Sequence, residues 1–106
     1  FIPGSMGTSS YVLVGTSKAE EISLASTAHG AGRVLSRTSA KKQVTPEKLK
    51  EELESQDVLL KARSISGALE EAPEAYKDVN EVVKVSHEVG IGNLVARMKP
   101  LIVLKG

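Results

Sequence analysis

Ser26-Thr27-Ala28-His29-Gly30-Ala31-Gly32-Arg33 is the stretch around which the rest of the chain is organised. Small hydroxyl residues lead into a histidine, two glycines spaced by one residue follow it, and an arginine closes the run. Glycines let a backbone approach a ligand closely and take dihedrals that other residues avoid. An imidazole offers a nucleophilic lone pair near neutral pH. Beyond it Arg33, Arg37 and Lys41 recur every four residues. That spacing predicts a helix from about Gly32 to Lys42, with the basic side chains on one face and Val34 and Leu35 turned inward. A helix starting there would aim free N–H groups and the positive end of its dipole at an anion. On this reading the stretch is a phosphate site with a nucleophile at its edge. The same residues also fit a hydrogen-bonded structural histidine, turn glycines and a solvated basic face.

Two familiar alternatives fail. Gly-Ala-Gly is no dinucleotide fingerprint, because the third glycine position falls at Leu35. A hydrolytic triad is equally unsupported, since His29 and His87 are the only histidines and there is no Gly-x-Ser-x-Gly elbow.

Working outward, Ile2 to Ser10 reads as a loop, with Pro3, Gly4 and Gly7 among hydroxyls at Ser5, Thr8, Ser9 and Ser10. Tyr11 to Gly15 is apolar and reads as a buried strand. Ser17 to Glu21 reads as a turn or edge. The alternation from Ile22 to Ala25 predicts a short strand that delivers Ser26 to His29. Downstream, Thr45-Pro46 opens a helix with Leu49 and Leu53 inward and a mixed-charge outer face. Val58-Leu59-Leu60 reads as a strand, and Ala68 to Ala72 as too short for a helix before Pro73. Asp78 caps a helix reaching about Val89, with Val79, Val82, Val83 and Val85 apolar and Gly90 as its stop. His87, near its end, reads as structural. Leu94 to Lys99 and Pro100 to Lys105 form one long strand or two, Pro100 favouring an edge or a break. Short mixed strands with about three helices give an α+β class.

Composition narrows the options. The 106 residues suit one small domain, and 41% hydrophobic content supports a modest core with only 3% aromatics. The net charge of +1 announces no nucleic-acid binder, so any basic surface is local. Without cysteine there is neither disulfide nor thiolate metal site. No apolar run approaches the roughly 20 residues of a membrane span, so we expect no membrane partner and a cytoplasmic location. The chain opens on Phe1 rather than Met, which suggests an excised piece.

The run from His29 to Arg33 resembles the guanylylated-histidine motif of the RtcB-type RNA ligases. Phe1-Ile2-Pro3-Gly4-Ser5-Met6-Gly7-Thr8-Ser9-Ser10-Tyr11-Val12 resembles that family's glycine-rich segment upstream of the histidine. Glu70-Glu71-Ala72-Pro73-Glu74-Ala75-Tyr76-Lys77 and the closing Lys105-Gly106 match as well. The likeness covers essentially the whole chain. Family members are several times longer, so residues 1–106 resemble their carboxyl-terminal part, within a larger fold.

The resemblance implies a GTP- and Mn²⁺-dependent ligase joining RNA ends with a 3′-phosphate or 2′,3′-cyclic phosphate to 5′-hydroxyl ends. His29 would carry GMP. Pro3, Gly4, Ser5, Met6 and Ser10 would surround the guanosine, and Gly30, Ala31 and Gly32 would approach the nucleotide beside His29. Tyr76 would stack on guanine, and Lys105 would contact it. Arg33 is our candidate for stabilising phosphoryl charge, and Arg37 for the RNA backbone. RNA, including tRNA exon halves, and archease would be partners. The family's metal ligands are a Cys, an Asp and several His from earlier in its chain. Nothing here resembles them, so no metal ligand is assigned and these residues alone are expected not to self-guanylylate. A nucleotide- or RNA-phosphate-binding module without chemistry is the alternative.

Overall fold

The computed structural model describes residues 1–106. Its elements run β1 (Ser10–Gly15), α1 (Lys18–Ser23), α2 (Arg37–Gln43), α3 (Pro46–Ser55), β2 (Leu59–Ala62), α4 (Ile65–Glu70), a 3₁₀ turn (Pro73–Ala75), α5 (Val79–Glu88), β3 (Gly92–Met98) and β4 (Ile102–Lys105). This is an α+β mixture built on two small sheets. β1 pairs antiparallel with β3, and β2 pairs parallel with β4. Pro100 falls between β3 and β4, so the chain breaks there and its last two strands enter different sheets.

Two separate cores follow from this division, in a body of 45 × 26 × 21 Å. One holds Met6, Val44, Leu49, Leu53, Val58, Ala68, Leu69 and Ala72. The other holds Ile2, Tyr11, Val79 and Val83. The segment after Phe1 joins them, because Ile2 anchors in one core and Met6 in the other. Ile2 and Tyr11 exchange backbone hydrogen bonds of 2.8 and 2.9 Å, which closes the loop between them.

α3 and α5 form as their sequences dictate. Thr45 Oγ1 accepts from the Lys48 N–H at 3.2 Å, Pro46 fills the first turn, and Leu49 and Leu53 are buried. Asp78 Oδ1 accepts from the Asn80 N–H at 2.8 Å, and Val79 and Val83 face the second core. Val85 lies exposed. His87 Nδ1 accepts from the Leu94 N–H at 3.3 Å, which ties α5 to β3.

Elsewhere the structure corrects the sequence. Lys18–Ser23 is a helix, not a turn leading into a strand. Lys, Ala and Glu are strong helix formers, and Glu20 and Glu21 sit in its first turn, where the dipole favours them. The apparent alternation of Ile22 and Leu24 carries no burial, since both are exposed. The helix expected from Gly32 begins instead at Arg37, capped by Ser36 Oγ accepting from the Ser39 N–H at 3.1 Å. Residues 32–35 are held out of helix by a bridge between Arg33 and Tyr76: the Val34 and Leu35 N–H groups both donate to the Ala75 carbonyl, and the Lys77 N–H donates to that of Gly32. Tertiary pairing thus overrides the four-residue charge spacing. Val34 is exposed rather than inward. Of the segment expected to be too short for a helix, Ala68 to Glu70 form the end of α4, a helix started by Ser64 Oγ accepting from the Gly67 N–H, and Glu71 and Ala72 lie beyond it. β1 buries only Tyr11, because its two-stranded sheet leaves one face open.

Candidate functional site

A cleft of about 620 Å³ opens where the two cores meet. It lies within the usual size of small-ligand sites, roughly 300–1,000 Å³. Its walls come from four places: the loop at Pro3–Met6 with Thr8 and Ser10, the turn from His29 to Arg33, the segment at Glu71, Tyr76 and Lys77, and the stretch from Pro100 through β4 to Lys105. Pro3, Gly4, Ser5, Met6, Ser10, His29, Gly30, Ala31, Gly32, Arg33, Tyr76 and Lys105 therefore share one cleft. Arg37 lies outside it, on α2, with a largely exposed side chain.

The loop is braced by its own hydroxyls. Ser10 Oγ accepts from the Gly4 N–H at 3.1 Å, Thr8 Oγ1 from the Ser5 N–H at 2.7 Å, and Ser5 Oγ donates to the Glu71 carbonyl at 2.6 Å. Gly4 is required by close approach: a Cβ there would overlap the Ser9 carbonyl and lie 2.6 Å from Thr8 Oγ1. On the opposite wall, His29 is exposed in an irregular turn that ends at Gly32, whose φ of +81° favours glycine. No helix begins at the turn, so its open backbone, not a helix dipole, borders the histidine.

Arg33 fixes this turn to the rest. Its Nε donates to the Leu35 carbonyl at 3.0 Å, Nη1 to the Tyr76 hydroxyl at 2.9 Å, and Nη2 to the Glu70 carbonyl at 2.6 Å. Its guanidinium also lies 4.8 Å from the Tyr76 ring centroid, so one ring face is already covered by a cation. Tyr76 in turn donates to Glu71 Oε2 at 2.6 Å. Glu71 is the hub, with Oε1 3.5 Å from Arg33 Nη1 and Oε2 3.7 Å from Lys105 Nζ. Glu70 pairs with Lys41 at 2.8 Å and with Arg37 at 3.7 Å.

These contacts move two titrations. The hydrogen bond from Tyr76, and then the charges of Lys105, Arg33 and Arg37, hold the Glu71 carboxyl below the usual carboxylate range despite its partial burial. Burial, then the bond to Glu71, pushes the Tyr76 phenol up. Four cations face the two carboxylates Glu70 and Glu71, and the positive excess suits an anionic ligand.

Sequence reasoning missed Glu71 as a site residue, along with Thr8, Lys77, Pro100 and the β4 residues Ile102 to Leu104. The adjacent Glu70-Glu71 pair in the motif ending at Tyr76 was the available signal. Its partnership with Lys105 depends on β4 pairing with β2, which no local pattern encodes.

The sequence has counterparts among known proteins. The family model described as tRNA-splicing ligase RtcB matches residues 1–106. The chain belongs to the RtcB family. Proteins named tRNA-splicing ligase RtcB from Nanoarchaeum equitans and Methanopyrus kandleri are 53% and 52% identical to it over 105 residues. A relative of the same name from Archaeoglobus fulgidus is 51% identical. Each alignment covers 99% of this chain, but 22%, 11% and 22% of the respective relatives. The RtcB relatives are thus several times longer than the 106 residues.

A cleft of this volume, with amide-rich turns, a flat ring and cations, fits a nucleotide. A divalent transition metal requires several converging donors. No three His, Cys, Asp or Glu side chains converge anywhere in the chain, so its residues do not fit a Mn²⁺ site. No helix is long and apolar enough to cross a membrane.

Proposed function

We propose that this chain supplies the nucleophile and part of the guanine-nucleotide cleft of a GTP- and Mn²⁺-dependent RNA ligase. The enzyme joins RNA ends bearing a 3′-phosphate or 2′,3′-cyclic phosphate to 5′-hydroxyl ends, in tRNA splicing and RNA repair. The observation that supports this most is the convergence of His29, the Gly30–Gly32 turn, Tyr76 and Lys105 on one cleft, in a chain of the RtcB family.

GTP, when bound, supplies the activated phosphoryl group. His29 attacks its α-phosphorus through a ring nitrogen. An N–P bond forms, the bond to the bridging oxygen of the β-phosphate breaks, and pyrophosphate leaves with that electron pair. The histidine proton passes to solvent, leaving a phosphoramidate between imidazole and GMP. GMP is then transferred to the RNA 3′-phosphate, and the RNA 5′-hydroxyl displaces it, forming the phosphodiester. A cyclic end is first hydrolysed: water adds to its phosphorus, the bond to the 2′-oxygen breaks, and a 3′-phosphate and a 2′-hydroxyl result.

The exposed ring of His29 beside unhindered glycine backbone leaves room for such an in-line attack. Arg33 holds the turn in place and adds positive charge where phosphoryl oxygens gain negative charge. Pro3 to Met6 and Ser10 line the wall on which a guanosine would rest. Tyr76 offers a ring face and Lys105 an ammonium donor for the base. Arg37, outside the cleft, serves the RNA backbone. Mn²⁺ would be held by residues outside these 106 and would supply Lewis-acid stabilisation of the phosphoryl oxygens. RNA ends, tRNA exon halves among them, are the substrates, archease the activating partner, and the cytoplasm the setting.

The test is label transfer from α-³²P-GTP at the full length of the relatives. The expected result is an acid-labile adduct on His29, lost in His29→Ala while GTP still binds. The 106 residues alone should take up no label. Covalent label on the His29→Ala protein, or none on the parent, overturns the assignment. GTP binding without any label favours the non-catalytic binding module instead.

A further inference from the structure

We infer that Glu71 is a positioning residue that sets guanine-over-adenine selectivity, by pinning the Lys105 ammonium and the Tyr76 hydroxyl on one wall of the cleft. The inference rests on the guanine-nucleotide reading above and goes one step deeper into the same site.

Lys105 stands at the last position of a four-residue strand. A lysine side chain has many rotamers, and holding it in one costs conformational entropy. Glu71 is its only ion-pair partner, at 3.7 Å. The same Glu71 oxygen accepts from the Tyr76 hydroxyl at 2.6 Å, so one atom spaces ring and ammonium relative to each other. Glu71 is itself fixed at both ends. Its carbonyl accepts from Ser5 Oγ in the loop, and its other carboxylate oxygen faces Arg33. The hub therefore links all four walls of the cleft through three side chains and one backbone bond.

Selectivity follows from the chemistry of the base edge. An ammonium only donates. Guanine presents O6 and N7 as acceptors, whereas adenine presents an amine donor in place of O6. A lysine held at one place rejects adenine because two donors then face each other. A lysine free to swing turns away from the amine and discriminates little. Glu71 decides which of these Lys105 is, without touching the base.

The experiment compares equilibrium binding of GTP and ATP, with thermal unfolding alongside, in the protein at the full length of its relatives. The variants are Glu71→Gln, Glu71→Asp, Lys105→Met and the double variant Glu71→Gln/Lys105→Met. Glu71→Gln should lower the ATP-to-GTP Kd ratio about tenfold, the scale of one oriented polar contact. Glu71→Asp should recover part of that ratio. The double variant should discriminate no worse than Lys105→Met alone, because the glutamate acts through the lysine.

Several results would overturn the inference. Equal weakening of both nucleotides, with the ratio intact and the melting temperature lowered, makes Glu71 merely structural. A double variant worse than Lys105→Met means Glu71 meets the base directly. Should Glu71→Gln fail to fold, Glu71→Asp carries the test, and a ratio equal to the parent's there overturns the inference. Those outcomes leave the nucleotide reading standing. A parent protein with no preference for GTP over ATP removes both.

Discussion

Replacing Arg33 with alanine should free the histidine-bearing turn without unfolding the chain. Arg33 makes three side-chain hydrogen bonds, to Leu35, Tyr76 and Glu70, and covers the Tyr76 ring. Its side chain is 25% exposed, so water replaces part of what is lost. Taking about 0.5–0.8 kcal/mol for each bond after that discount, and about 0.5 kcal/mol for the cation–ring contact, the clamp is worth about 2–3 kcal/mol. The amides of Val34, Leu35 and Lys77 report on it, because their partners are the Ala75 and Gly32 carbonyls on either side. In amide hydrogen exchange their protection should fall about 30- to 150-fold, at about 1.4 kcal/mol per decade. Arg33→Lys keeps the charge but not the fork, and should fall about tenfold. Amides of Leu53 and Val83 should be unaffected. Protection within twofold of the parent at Val34, Leu35 and Lys77 would refute the clamp. So would an acceleration spread evenly over both cores, which would make Arg33 a general stabiliser.

Three further outcomes are expected. Gly4→Ala should abolish nucleotide binding and lower the unfolding midpoint, because its methyl would overlap backbone at Ser9; crystallographic or NMR comparison of the loop is the check. Leu53→Ala, at a side chain 1% exposed, should cost about 2–5 kcal/mol in urea unfolding with an unchanged m-value, and a loss below 1 kcal/mol would mean that the first core collapses around the gap. Glu52→Gln should raise the melting temperature at pH 7 by about 2–4 °C, on the order of 0.5 kcal/mol at this partly buried position. Burial, then repulsion from Glu74, raises the Glu52 pKa above 4.5. Its stability penalty therefore develops as pH rises through that range, and the gain should vanish below about pH 4.

What the sequence made legible is what local chemistry decides. Thr45-Pro46 and Asp78 start helices wherever they stand, because the cap bonds lie within three residues. Leu49, Leu53, Val79 and Val83 read as core from helical spacing, and they are core. The misreadings lie where a distant partner outweighs the local pattern. Arg33, Arg37 and Lys41 look like one helical stripe, yet Arg33 is pulled into extended pairing with the segment around Tyr76. The three cations still meet, because Glu70 and Glu71 gather them from two different elements. The charge pattern was informative about association and misleading about geometry. The cleft residues named from motifs lie together, but Glu71, which joins them, could not be found by spacing. Its bonds run to Lys105 and Arg33, and only the fold makes those neighbours.

The division into two cores explains why the cleft is where it is. A chain with three aromatic residues builds its interior from small aliphatic side chains, and here they segregate into clusters of eight and four. Neither cluster reaches across the junction, so the junction stays open and polar groups fill its walls. Pro3, Gly4 and Ser5 cross it because Ile2 and Met6 are held on opposite sides. A ligand seated there touches both bodies at once. It would brace Ile2's core against that of Met6 through the loop, and through Glu71 it would brace β4 as well. Nucleotide binding should therefore protect amides on both sides of the junction, Tyr11 and Lys105 together. Protection confined to one side would place the ligand elsewhere.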